Sequence, residues 1–123
     1  MYKGQSGVSG GEGLGLPEFQ SGCMGKHSVV LNASAYKQWA NAENSVLVES
    51  NGKTPAYDGH FFKEGSNQNQ GSIYDFDEDE FIAGCEEAIK RAESNPINES
   101  GMKLQQEFTV EKTFNKLQEY LNA

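Results

Sequence analysis

Two short apolar runs, Ser28-Val-Val-Leu-Asn32 and Ser45-Val-Leu-Val48, constrain this chain more than any other feature. Neither alternates polar with apolar residues, so each reads as a strand covered on both faces. Such strands need helices above and below them, and the flanking segments supply the pattern. Pro17–Met24 reads as a short helix. Pro17 suits a first turn, Phe19 and Cys23 share a face, and Gly25 suits a left-handed terminus. Ser34 is placed to cap a further short helix running through Trp39 and Ala40. A short strand around Ser6–Ser9 would precede both. Strand, helix, strand, helix, strand is the rhythm of a parallel sheet. The expected fold class is α/β: a three-layer α/β/α arrangement with a short, mostly parallel sheet and C-terminal helices.

The rest of the chain divides by pattern. Residues 1–6 read as a flexible N-terminus. Residues 49–72 read as a loop or hairpin excursion, with turn signals at Asn51-Gly52, Thr54-Pro55, Asp58-Gly59 and Glu64-Gly65. Within it, Gly59–Lys63 is a candidate hairpin arm and Ser66–Gly71 a polar surface loop. Residues 77–122 read as helical. Asp77 and Glu80 have capping-box spacing. Phe81, Ile82, Cys85, Ala88, Ile89 and Ala92 then recur at helical intervals until Asn95-Pro96. A second helix is expected over residues 98–108. Thr109 caps a third, on which Val110, Phe114, Leu117 and Leu121 form one stripe. The whole, 1–123, is one domain.

Composition excludes several functions. Eighteen acidic residues against ten Lys and Arg leave a net charge of −8, which disfavours nucleic acid and anionic membranes. No apolar run approaches a membrane span, and the N-terminus lacks the order of a signal peptide, so the expectation is a cytoplasmic protein. Two cysteines make neither a disulfide scaffold nor a zinc site. Leu, Ile, Val and Phe together are 24 of 123 residues, so the core must be thin.

The densest chemical signal is Gly10-Gly-Glu-Gly-Leu-Gly-Leu-Pro-Glu18, a glycine-bearing loop feeding a helix. Backbone N–H groups without Cβ obstruction approach an anion or a sugar closely, and the helix end adds positive potential. Glu12-Gly-Leu-Gly-Leu-Pro17, followed by Gly25 and Val29-Val30, resembles the signature segment of retaining glycosyltransferases of the two-Rossmann (GT-B) type, group 1 or family 4. Ala33–Ala40, Asn44–Val48, Ile73–Ile82 and Phe108–Lys112 are similar to later parts of the same donor domain, in the same order. The resemblance implies a nucleotide-sugar-binding half-domain for UDP- or GDP-sugars. Glu12 matches the residue that contacts the donor sugar. Gly13, Leu14, Gly15 and Leu16 match the turn whose N–H groups lie against sugar and diphosphate. The family's second Glu, which holds the ribose hydroxyls, is replaced here by Gln20, whose amide offers one acceptor side and one donor side. The chain resembles the later two-thirds of that domain, without its first strands and without an acceptor domain. It is therefore expected to show no transfer alone, no catalytic residue, and no metal or other cofactor. The open sheet edge left behind implies a homodimer or higher assembly.

Competing signals are weaker. Asp75, Asp77, Asp79 and Glu86 imitate a calcium loop, but Glu80 stands where glycine is required and the helical stripe runs through the frame. Asp75-Phe-Asp77 is too short to identify a metal motif. His27 and His60 do not form a pair in sequence. Cys23 and Cys85 read as buried reduced thiols, and Tyr36 and Trp39 as packing residues. The alternative function is a non-catalytic oligomerising remnant or interaction module without nucleotide binding.

Overall fold

The computed structural model describes residues 4–60, 62–67 and 71–123. Three parallel strands form the centre: β1 (Gln5–Gly7), β2 (Ser28–Leu31) and β3 (Val46–Val48), in the order β1-β2-β3. The register aligns Ser6 with Val29 and Val29 with Val46. β2, the central strand, has every residue buried, as its unbroken apolar run requires.

Helices cover the two faces. Helix α1 (Leu16–Cys23) crosses from β1 to β2 and packs on both. Its last turn closes in a Schellman arrangement: Lys26 N–H donates to Ser21 O, and Gly25 adopts φ +77°. Helix α2 (Glu78–Ser94) packs on β2 and β3. Gly84 permits that approach, because a Cβ there would lie 3.1 Å from Val48 and 3.2 Å from Val29. Asp77 caps α2 by accepting from Glu80 N–H at 3.0 Å. Between β2 and β3 the chain makes a 3₁₀ helix, Ser34–Gln38, which buries Tyr36 and then Trp39. The core unites these aromatics with the β2 and β3 valines, Leu31, Ala88 and Leu104.

A second, two-stranded antiparallel sheet pairs β4 (Ser50–Pro55) with β5 (Ser72–Phe76). The C-terminal segment forms α3 (Glu99–Met102), α4 (Leu104–Glu107) and α5 (Val110–Leu121). Thr109 caps α5, accepting from Lys112 N–H at 3.2 Å. No helix among the described residues is long and apolar enough to cross a membrane.

Several expectations are corrected. The first strand is Gln5–Gly7, so residues 5 and 6 belong to the sheet, not to a loose terminus. Ser9 ends the extended run by turning its hydroxyl onto Gly11 O. Ser34 caps nothing: extended Ala33 stands at the N-cap, and the Ser34 hydroxyl is taken by the Glu12 backbone. The excursion at 49–72 begins with a real strand, β4, because its partner lies at residues 72–76. The candidate arm Gly59–Lys63 forms no strand at residues 59, 60, 62 and 63. Phe61 and residues 68–70 lie outside the described residues. The helix expected over residues 98–108 divides at Lys103, where Gln106 N–H bonds three residues back and tightens the turn. Cys23 and Cys85 are free but only half-buried.

Candidate functional site

The glycine-bearing loop leaves the carboxyl end of β1 and delivers the chain to α1. That is the end of a parallel sheet where ligands collect. Four contacts hold the loop. Gly10 O accepts from Tyr74 N–H at 3.0 Å. Glu12 N–H donates to Ser34 Oγ at 3.4 Å, and the Ser34 hydroxyl lies 3.5 Å from Glu12 O. Trp39 Nε1 donates to Leu14 O at 2.8 Å. Gly15 lies against the Tyr36 ring in a left-handed conformation, φ +75°. Only glycine fits there without strain, since a Cβ would sit 2.3 Å from Tyr36 Cε1.

Gly15 is also the N-cap of α1, and no side chain caps the helix. In that first turn Pro17 has no N–H, and the Glu18 N–H meets its own carboxylate. Glu12 and Gly13 are exposed, Leu14 is half-buried, Gly15 is buried and Leu16 is exposed. The five are contiguous, so the loop presents a carboxylate beside glycine N–H groups and a helix start. Gln20 is exposed on the second turn of α1, with no hydrogen bond joining its side chain to the loop. Lys26 lies beyond the far end of α1, away from the loop. Lys37 lies on the 3₁₀ helix whose first residue, Ser34, holds Glu12.

Beneath the loop lies a pair that sequence reasoning missed. Glu18, in the first turn of α1, is only 7 % exposed, and Tyr36 is 1 % exposed. Both abut Gly7: a Cβ there would meet Glu18 Cδ and Tyr36 Oη, each at 2.5 Å. Burial pushes the Glu18 carboxyl above its ordinary value, and the Glu12 charge adds to the rise. Hydrogen bonds to the Glu18 backbone and the Gln5 side chain oppose it. Burial, then the charges of Glu18 and Glu12, push the Tyr36 phenol up to about 12. Glu18 sits one position after a proline in a first turn, where acids are common on dipole grounds alone. The only sequence signal for the pair was Gly7, whose missing side chain leaves them room.

Among the described residues, no cluster of three His, Cys, Asp or Glu is placed to hold a metal ion. His27 Nε2 lies 2.8 Å from Asn95 O, at the opposite end of the sheet from the loop. No family model, curated protein or solved structure matches the chain.

Proposed function

We propose that this chain is a nucleotide-sugar-binding half-domain related to retaining GT-B glycosyltransferases, with a Rossmann-like sheet and a donor site on residues 12–16. The observation that carries the reading is the pinned glycine loop at the carboxyl end of β1, opening α1 at a left-handed glycine without a side-chain cap. Glu12 accepts from sugar hydroxyls there, and the N–H groups of Gly13 to Leu16 face the diphosphate. Gln20 bonds the ribose through its amide. Transfer further requires an acceptor and stabilisation of charge on the departing diphosphate, so the chain alone binds donor without multiple turnovers.

Saturation-transfer NMR with UDP-glucose and GDP-mannose tests this. Binding by the chain and its loss in Glu12→Ala support the reading. No binding of either sugar nucleotide, or full binding by Glu12→Ala, overturns it.

The second reading is an interaction module without nucleotide binding. One observation favours it: α5 has no buried residue, and Val110, Phe114, Leu117, Tyr120 and Leu121 are all more than half exposed. Under either reading, the outer edge of β1, unpaired among the described residues, is proposed to join two copies. Light scattering at micromolar concentration should then give at least twice the chain mass; a monomer would count against it.

A further inference from the structure

A cleft of about 430 Å³ opens at the carboxyl ends of β2 and β3, next to the glycine loop. Its walls include Asn32 and Ser34, which follow β2, Lys37 on the 3₁₀ helix, Glu49 after β3, and Lys53 and Tyr74 from the β4–β5 sheet. We propose that this cleft is an oxyanion site that takes a diphosphate between the ammonium groups of Lys37 and Lys53. The inference rests on the donor reading for its natural ligand, but its residues are different ones.

Four observations converge. First, the position is the crevice outside the strand ends where α/β sheets hold their ligands. Second, the cleft is continuous with the loop, because Ser34 lines the cleft while its hydroxyl bonds the Glu12 backbone. Ser34 does this at φ +53°, the one non-glycine residue with positive φ among the described residues. Non-glycine residues rarely hold such a conformation, and those that do cluster at functional sites. Third, the charge balance is inverted locally. In a chain of net charge −8 the cleft has two cations and one acid, and neither lysine has an ion-pair partner among the described residues. The single acid is already engaged, its Glu49 Oε1 accepting from Asn32 Nδ2 at 2.8 Å. Fourth, one lysine is pre-placed: Lys53 Nζ lies 4.5 Å from the centre of the Tyr74 ring, so ordering it costs less on binding. Two ammonium groups, each with three donors, match the spread charge of a diphosphate better than one does.

The test is a ¹H–¹⁵N NMR titration of the full chain with sodium pyrophosphate, at matched ionic strength. Saturable shifts centred on Ser34, Lys37 and Lys53 are expected. Lys37→Gln and Lys53→Gln should each weaken binding roughly tenfold, and Lys53→Arg should restore most of it. Lys90→Gln, at the opposite end of the sheet, should change nothing. All of these side chains are exposed, so the variants fold, which circular dichroism checks. Shifts spread over every lysine without saturation, or undiminished affinity in both Gln variants, overturn the proposal. A second arm separates it from the donor reading. Pyrophosphate binding without UDP-glucose or GDP-mannose binding refutes the donor reading and leaves the oxyanion site standing. Sugar-nucleotide binding that ignores both lysine substitutions does the reverse.

Discussion

Gly15→Ala is the sharpest perturbation of the loop, because two independent penalties meet at one atom. The first is conformational. At φ +75° and ψ 55° an alanine pays about 1 kcal/mol that glycine does not. The second is steric. The new Cβ would stand 2.3 Å from Tyr36 Cε1 and 2.9 Å from Cδ1. The ring cannot swing into solvent, being 1 % exposed, so loop or core must shift, at about 1–3 kcal/mol. Together these predict a loss of about 2–4 kcal/mol, a large fraction of the stability of a small domain. Urea unfolding followed by circular dichroism measures it. Gly13→Ala is the control: Gly13 has ordinary φ and nothing within 4 Å of its Cβ position, so it should move stability by no more than about 0.5 kcal/mol. Tyr36→Leu provides the cycle. In that background Gly15→Ala should cost only the conformational part, about 1 kcal/mol. Equal costs in the two backgrounds, or a loss below about 1 kcal/mol in the wild-type chain, would refute the packing argument.

Three further outcomes follow from the same region and its supports. Glu18 has a raised pKa in the fold, so the stability it contributes is present below the ordinary carboxylate value of 4.5 and is lost as pH rises through the raised one. Glu18→Gln should therefore gain on wild type as pH rises above 4.5, and a gap that does not change with pH refutes the burial of that charge. Tyr36, pushed up to about 12 from 10, should lose about 3 kcal/mol of stability as pH rises between those values. Tyr36→Phe should unfold less steeply across that window, and identical alkaline profiles would show that the phenol is not the group resisting ionisation. Asn98 is 4 % exposed, donates to Asn44 O at 2.7 Å and Lys26 O at 3.1 Å, and caps α3 through Gly101 N–H at 2.9 Å. Asn98→Ala should cost about 3 kcal/mol in calorimetric or urea unfolding.

Legibility in the sequence followed the physics of each element. β2 and β3 could be read because a doubly covered strand has to be apolar throughout. α2 and α5 could be read because Asp77 and Thr109 are caps that act on their own helices. β4 could not: Ser50–Pro55 is polar and carries Asn51-Gly52, and only pairing with β5, far along the chain, makes it a strand. Ser34 misled for a related reason. A serine before a short helix is a cap by local rules, yet here a partner 22 residues away in sequence takes its hydroxyl. The loop itself was legible as glycines, but not its floor. Burial of Glu18 depends on Gly7 and Tyr36 arriving from two other elements, which no local spacing records.

The thin core and the loop are in fact one structure. Tyr36 and Trp39 are among the largest side chains the interior holds, and each has a polar atom that burial obliges the protein to satisfy. Trp39 satisfies its Nε1–H with the carbonyl of Leu14, and the Tyr36 hydroxyl meets the Ser9 backbone. Both partners belong to the glycine loop. A chain with few large apolar residues thus completes its core with atoms of the segment that carries its candidate chemistry. The loop gains a fixed shape without contributing bulk of its own, and its glycines stay open toward the strand ends. The same economy makes the site sensitive to the interior. Replacing Trp39 by phenylalanine keeps most of the apolar contact but leaves Leu14 O unbonded, so it releases the loop more than it loosens the sheet.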